Sequence, residues 1–190
     1  MNVAVVGLYR SGSSLLAGML HCLGVDMGSP YFVSNRGETY EPADLAQKLR
    51  AWWDEPNMVE RVPARQRFLH LEQWGQKRQP PFGAKHPLLS LCVLEAINAW
   101  NCQVVWAYRP LQESIESLQR TEWFPGQEQR IQERLWQELH RVHATMPLVK
   151  IHHAEVLKDP AGTAAYLCRL LDLQPTPQQR EDAARFVRVV

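Results

Sequence analysis

The feature that most constrains the fold lies near the N-terminal end, where a short apolar run passes through a glycine-containing loop into a helical pattern. Residues 3–6 are apolar, and the loop Gly7-Leu8-Tyr9-Arg10-Ser11-Gly12-Ser13-Ser14 follows them. Leucine and methionine side chains then recur at helical spacing as far as Leu23. The order strand, loop, helix predicts a phosphate-binding turn, because glycines let the backbone wrap an anion and the first N–H groups of the helix face it.

Strand and helix patterns alternate along the rest of the chain. Three further strands are predicted at residues 82–85, 103–108 and 148–152, with helical patterns starting near Leu88, Leu111 and Pro160. Additional helices are predicted at residues 41–53, 65–74 and 126–143. This alternation predicts an α/β class: a three-layer P-loop-type fold with a central parallel sheet flanked by helices. In such folds, ligands bind at the carboxyl ends of the strands.

Composition limits the broad class of protein. A chain of 190 residues that is 45% hydrophobic and 22% charged is expected to form one domain over residues 1–190. The net charge of +1 predicts no general attraction to nucleic acid. No apolar run approaches the roughly 20 residues that a membrane-spanning helix needs. Because the sequence opens directly with a predicted strand, we expect no signal peptide and a cytoplasmic protein.

The loop differs from that of nucleotide triphosphatases in one decisive position. It has the G-x-x-x-x-G frame, but Ser13 stands where that motif requires the lysine that reaches the β and γ phosphates. An ATPase or kinase is therefore disfavoured. Arg10 instead places a permanent cation with a planar donor fork inside the loop. The alternative is a glycine turn that only starts a helix.

The loop resembles a known motif. The run Arg10-Ser11-Gly12-Ser13-Ser14-Leu15 is similar to the R-S-G-T-T-L loop that cradles the 5′-phosphosulfate in sulfotransferases dependent on 3′-phosphoadenosine 5′-phosphosulfate (PAPS), especially the bacterial and tyrosylprotein branches. The resemblance implies that Arg10, Ser11, Gly12, Ser13 and Ser14 bind this donor.

Three more segments resemble the same family in the same order. Arg109 ends a predicted strand and Ser117 follows eight residues later, as in the family's 3′-phosphate motif; Ser114 is expected on a different helical face and is the weaker candidate. Lys85-His86-Pro87 resembles K-D-P, whose lysine contacts the transferred group. Residues 151–173 are similar to a common closing strand and helix. The resemblance therefore extends from about residue 3 to residue 173.

Two residues compete for the role of general base. Glu41 ends the segment Asn35-Arg36-Gly37-Glu38-Thr39-Tyr40-Glu41, which resembles a segment of bacterial relatives whose acidic residue faces the sulfuryl group. Alternatively, Glu41 only stabilises, with its negative charge, the N-terminus of a helix that begins at Pro42. His86 is the other candidate, since cytosolic relatives use a nearby histidine. Adjacent strand residues point to opposite sides, so His86 is expected to face away from the donor if Lys85 faces it.

The expected chemistry is transfer of a sulfuryl group to an unidentified hydroxyl or amine acceptor, either a small molecule or a macromolecule. Lys85 and Arg10 are expected to neutralise charge on the leaving oxygen, so no metal is predicted. His152 and His153, adjacent on a predicted strand, are expected to be structural. One alternative is another P-loop enzyme such as a small-molecule kinase. Another is a degenerate nucleotide-binding protein, because most family members are longer and close over the nucleotide with a basic, glycine-containing segment that residues 184–190 lack.

Overall fold

The computed structural model describes residues 1–34, 37–54 and 57–189. Its strands are β1 (Asn2–Gly7), β2 (Tyr31–Ser34), β3 (Gly37–Pro42), β4 (Trp53–Asp54), β5 (Val59–Glu60), β6 (Gly83–Lys85), β7 (Cys102–Tyr108) and β8 (Val149–His152). Its helices are α1 (Ser13–Cys22), α2 (Ala43–Trp52), α3 (Ala64–Gly75), a 3₁₀ helix (Pro87–Leu91), α4 (Val93–Trp100), α5 (Leu111–Gln119), α6 (Glu128–Thr145), α7 (His153–Lys158), α8 (Pro160–Leu171) and α9 (Pro177–Val189). Among these helices, none is both long and apolar enough to cross a membrane.

Four strands of the described chain form a parallel sheet in the order β6-β1-β7-β8. Val5 of β1 pairs with Lys85 on one side and Val105 on the other, while Ala107 pairs with Ile151. Because the strands are parallel, their carboxyl ends lie along one edge of the sheet, and the loops that begin there meet. The structure confirms the predicted α/β class with a central parallel sheet.

Helices cover both faces of this sheet. Val6 and Trp106 belong to a core cluster shared with α3, α4 and α6, and Val5 and Val105 belong to a second cluster shared with α1 and α8. Successive strand residues point to opposite faces, so burial on both faces requires the continuous apolar runs seen in the sequence.

Several predicted boundaries were wrong. The helix predicted from Glu41 begins at Ala43, because residues 37–42 pair with β2 as a strand and this pairing outweighs the helical propensity of glutamate. The helical pattern predicted from near Leu88 is divided in two, a 3₁₀ helix from Pro87 and α4 from Val93. Helix α9 was not predicted; its Phe186 ring lies where a side chain on Gly18 of α1 would project.

Candidate functional site

The loop predicted to bind phosphate, residues 8–12 and hereafter the phosphate loop, joins β1 to α1 through two residues in the left-handed backbone region. Arg10 has φ 64° and Gly12 has φ 88°. A Cβ atom at Gly12 would collide with the ring of His153, so glycine is required there for space as well as conformation. Ser11 and Ser13 are buried, and the Ser11 hydroxyl has no hydrogen-bond partner among the described residues. No described side chain caps α1. An orphaned hydroxyl and an uncapped helix start are consistent with an anion-binding loop.

Two buried side chains hold the backbone of this loop. The hydroxyl of Ser90 accepts a hydrogen bond from the N–H of Gly7 and donates one to the carbonyl of Gly7, both at 3.1 Å. The Gln132 amide accepts from the N–H of Tyr9 at 3.1 Å and donates to the carbonyls of Tyr9 at 2.7 Å and Ser114 at 3.1 Å. Each contact is buried, so the loop is held at its start and near its tip.

Sequence reasoning missed both of these residues. Gln132 could have been recognised as a buried polar residue, because it lies three residues before Leu135 on the apolar face of the predicted helix. Both Gln132 and Leu135 are fully buried. For Ser90, nothing in the sequence distinguishes a hydroxyl that meets β1 from one that faces solvent.

Lys85, Glu41 and Ser14 meet beside the loop. The Lys85 ammonium donates to Oε1 of Glu41 at 2.7 Å, to Oγ of Ser14 at 2.9 Å and to the carbonyl of Thr39 at 3.2 Å. Lys85 is 3% exposed and Glu41 8%. Burial acts to raise the pKa of Glu41, but Lys85, His86 and Arg50 together outweigh it, and the pKa lies below its usual range. The carboxylate is therefore ionised at neutral pH.

His86 is also at this site, in the neutral form. Its Nδ1 accepts a hydrogen bond from the N–H of Leu88 at 3.0 Å, so the ring proton is assigned to Nε2, which lies 3.7 Å from Oε2 of Glu41. Burial lowers the pKa of His86 to about 4, although the nearby Glu41 carboxylate acts in the opposite direction. Neither ring nitrogen offers a free lone pair for accepting a proton.

The expectation that Lys85 and His86 point away from each other was wrong, because both approach the carboxylate of Glu41. Strand β6 ends at Lys85, and His86 already caps the following 3₁₀ helix, so strict strand alternation does not extend to it. Glu41 itself lies in β3 rather than in the first turn of a helix. Asn35 and Arg36 of the same segment lie outside the described residues.

Arg109 lies where β7 meets α5 and contacts the phosphate loop. Its Nη1 donates to the carbonyl of Arg10 at 3.2 Å, and its Nε pairs with Glu113 at 3.2 Å. Ser117 and Ser114 are both buried. The expectation that they lie on different helical faces was wrong, since residues three apart are separated by only about 60° around a helix. The Ser114 hydroxyl lacks a hydrogen-bond partner among the described residues.

The side chain of Arg10 contacts the segment that follows α5. Its Cζ is 5.9 Å from the ring centroid of Trp123, which follows α5 and is 48% exposed. Tyr9, the preceding residue, packs edge-on against Phe124 at 5.3 Å between centroids. The segment between α5 and α6 therefore lies against the tip of the phosphate loop.

His153 lies at the carboxyl end of β8 and belongs to the candidate site. It begins α7 directly after β8, so His152 and His153 do not lie side by side on a strand as predicted. The imidazole of His153 packs over Gly12, and burial together with the guanidinium of Arg109 lowers its pKa. Its position at the carboxyl end of the last predicted strand was the available sequence signal.

Comparison with solved structures identifies proteins of the same fold. Sulfotransferase STF9 from Mycobacterium avium matches 99% of this chain and 68% of its own length, with a TM-score of 0.61 and 13% sequence identity. Sulfotransferase STF1 from Mycobacterium tuberculosis H37Rv matches 96% of this chain and 70% of its own, with a TM-score of 0.57 and 15% identity. At such identities the likeness establishes the fold. No protein-family model and no curated protein sequence matches the chain.

Proposed function

We propose that this protein is a sulfotransferase that transfers a sulfuryl group from PAPS to a hydroxyl or amine acceptor. The observation that carries the proposal is the meeting of Lys85, Ser14 and Glu41 beside a glycine-containing loop, at the start of a helix that no described side chain caps. This arrangement combines an anion cradle, a buried cation and an ionised carboxylate within hydrogen-bonding distance of one another. The sulfotransferase fold of the two mycobacterial structures supports the same interpretation.

The residues present fit a donor with two anionic ends. Ser11, Gly12, Ser13 and Ser14 would hold the 5′-phosphosulfate, since the buried Ser11 hydroxyl lacks a partner among the described residues. On the next strand end, Arg109 and the buried Ser117 would hold the 3′-phosphate, with the guanidinium already oriented by its contact to the loop. Arg10 would add a second permanent cation at the loop tip.

The proposed reaction is a displacement at the sulfur atom of the donor. The bond between the acceptor oxygen or nitrogen and sulfur forms, the bond between sulfur and the bridging oxygen of the phosphosulfate breaks, and the acceptor proton passes to Glu41. The donor would supply the activated sulfuryl group. The buried Lys85 ammonium would stabilise negative charge that develops beside it, an effect that is strengthened where water is excluded.

Glu41 is the better candidate for the proton acceptor. Its carboxylate is ionised at neutral pH, whereas His86 uses Nδ1 to accept from Leu88 and carries its proton on Nε2. The His86 Nε2 lies 3.7 Å from Oε2 of Glu41 and has no hydrogen-bond partner among the described residues. A positioned general base contributes roughly 10²–10⁴-fold to rate.

The test is isothermal titration of 3′-phosphoadenosine 5′-phosphate, the nucleotide product, against the wild type and Arg109→Ala, with ATP and magnesium as the comparison ligand. We expect the product nucleotide to bind more tightly than ATP and the variant to weaken its binding about 10- to 100-fold, as expected for one lost charge-assisted contact to phosphate.

The exposed Arg141 on α6, which pairs with a nearby glutamate as Arg109 does, provides a matched control, because Arg141→Ala removes the same side chain outside the proposed site. Binding of the product nucleotide should be unchanged in this variant. Failure of the wild type to bind the product nucleotide, or a preference for ATP with magnesium, would rule out the proposed donor.

A further inference from the structure

The two oxygens of the Glu41 carboxylate have different surroundings. Oε1 accepts the hydrogen bond from Lys85 at 2.7 Å. Oε2 lies 3.7 Å from Nε2 of His86 and 3.9 Å from Nη2 of Arg50, and within the described ranges it accepts no hydrogen bond. Oε2 is therefore the oxygen that can receive a hydrogen bond from an arriving hydroxyl, and that hydroxyl must come to lie close to Arg50.

Arg50 and Phe32 form a rim beside Oε2. The Arg50 side chain, on α2, is 41% exposed, and Phe32, on β2, is 42% exposed. The Arg50 Cζ lies 4.9 Å from the centroid of the Phe32 ring. Within the described chain the guanidinium donates no hydrogen bond to protein, so its donors face solvent next to an exposed aromatic ring.

The position of this rim is tied to the carboxylate through Thr39. The Thr39 hydroxyl donates to the carbonyl of Phe32 at 2.7 Å and accepts from the N–H of Glu41 at 3.3 Å. The Thr39 carbonyl accepts from Lys85. The strand that carries Phe32 is thus connected by hydrogen bonds to both members of the Lys85–Glu41 ion pair, which gives the rim a defined position relative to the reacting atoms.

Among the described side chains at this point there is an excess of positive charge. Lys85 and Glu41 neutralise each other at 2.7 Å, whereas Arg50 approaches Glu41 only to 3.9 Å. A guanidinium offers five donors in a planar fork, which matches a carboxylate or a related oxyanion, and it stacks readily on flat groups. An exposed guanidinium and an exposed ring therefore favour a ligand with an anion and a flat apolar part.

We propose that Arg50 and Phe32 bind the acceptor and select one that carries a negatively charged group on a flat, apolar frame close to its reacting hydroxyl. The inference rests on the proposed function, because it treats Glu41 as the group that receives the acceptor proton. A hydroxyl oxygen about 3 Å from Oε2 lies within about 7 Å of Arg50 Nη2. A hydroxyl and an anion on one aromatic ring span this separation.

The experiment measures binding of small acceptors to the protein saturated with 3′-phosphoadenosine 5′-phosphate. The probes are phenol, 3-hydroxybenzoate, 4-hydroxybenzoate and 4-hydroxybenzenesulfonate, of which the last distinguishes a tetrahedral anion from a carboxylate. We expect at least one anionic probe to bind tenfold or more tightly than phenol. Arg50→Gln should abolish this preference, and Phe32→Leu should weaken phenol and the anionic probes alike.

Arg185→Gln, on the exposed face of α9, is the matched control and should keep the preference. Equal binding of phenol and the anionic probes, or binding of none of them, overturns the inference. So does a loss of affinity for the nucleotide itself in Arg50→Gln, which would place Arg50 at the donor. Failure of the wild type to bind the nucleotide is measured first and refutes the proposed function separately.

Discussion

The neutral state of His86 predicts that acid destabilises this protein through one identifiable residue. The imidazole is fully buried, and burial lowers its pKa to about 4, against 6.5 for an exposed histidine. As the pH falls from 7, the unfolded chain takes up the His86 proton well before the folded protein does. The unfolded state therefore binds more protons over this range, and the free energy of unfolding must decrease as the pH decreases.

The size of the effect follows from the two pKa values. They differ by more than two units, and each unit corresponds to about 1.4 kcal/mol, so His86 should cost about 3 kcal/mol of stability between pH 7 and pH 4. Glu41 acts in the same direction at lower pH. Its pKa is depressed in the folded state, so its contribution is present above the ordinary pKa of a glutamate and is lost as the pH falls through the folded value.

Urea unfolding of the wild type and His86→Gln at pH 7 and pH 4 isolates this contribution. The difference in free energy of unfolding between the two proteins should fall by about 3 kcal/mol at the lower pH, because the variant has no imidazole to protonate. Effects of carboxylates away from His86 largely cancel in this difference. His152→Gln, at an exposed position, controls for the loss of an imidazole as such.

A difference that stays constant from pH 7 to pH 4 would refute the reasoning. His86 would then be charged in the folded protein, or open to water, and its exclusion as a general base would lose its physical basis. Direct titration of the His86 ring by NMR gives an independent measurement, and a folded pKa near 6.5 would contradict the structure in the same way.

Three further predictions concern the loop and the ion pair. Gln132→Leu removes three buried hydrogen bonds and should destabilise the protein by about 3 kcal/mol in urea unfolding. It should also weaken product-nucleotide binding in calorimetry, and unchanged values would show that the contacts of Gln132 do not hold the loop. Gly12→Ala should cost about 1–2 kcal/mol in backbone strain and displace His153, so undiminished nucleotide affinity would contradict the proposed cradle. Glu41→Gln leaves the Lys85 ammonium buried without an anion and should lower the free energy of unfolding by about 3–5 kcal/mol, as measured in urea. The double variant Glu41→Gln/Lys85→Met should restore much of this loss, and a single variant as stable as the wild type would refute the pairing.

The strand-loop-helix order around Gly7 to Ser14 was readable from the sequence because it depends on local properties. Apolar runs long enough for a strand buried on both faces, glycines at the turn and the helical spacing of leucines each act over a few residues. The same local patterns located β6, β7 and β8, and therefore Lys85 and Arg109 at the carboxyl edge of the sheet. The relation between strand ends and ligand sites is a property of parallel sheets in general.

Contacts between distant segments could not be derived in this way. The strand pairing of residues 37–42 brings Glu41 to Lys85, 44 positions away, and converts a predicted helix start into part of the site. Gln132 reaches Tyr9 across 123 positions, and the amide group carries no mark of its partner in the sequence. The termination of β6 at Lys85 likewise places His86 beside the same carboxylate, against the expected alternation.

By itself, the sequence determined the class of fold, the loop between β1 and α1 and the strand ends from which the candidate residues project, because these depend on the periodicity and turn chemistry of short segments. The tertiary structure alone decided which side chains meet, which of them are buried and hence which are charged. Pairing of side chains depends on how separate elements pack, and pKa values depend on the burial and neighbours that this packing creates. For that reason the choice between Glu41 and His86, which the sequence left open, became a question of local environment.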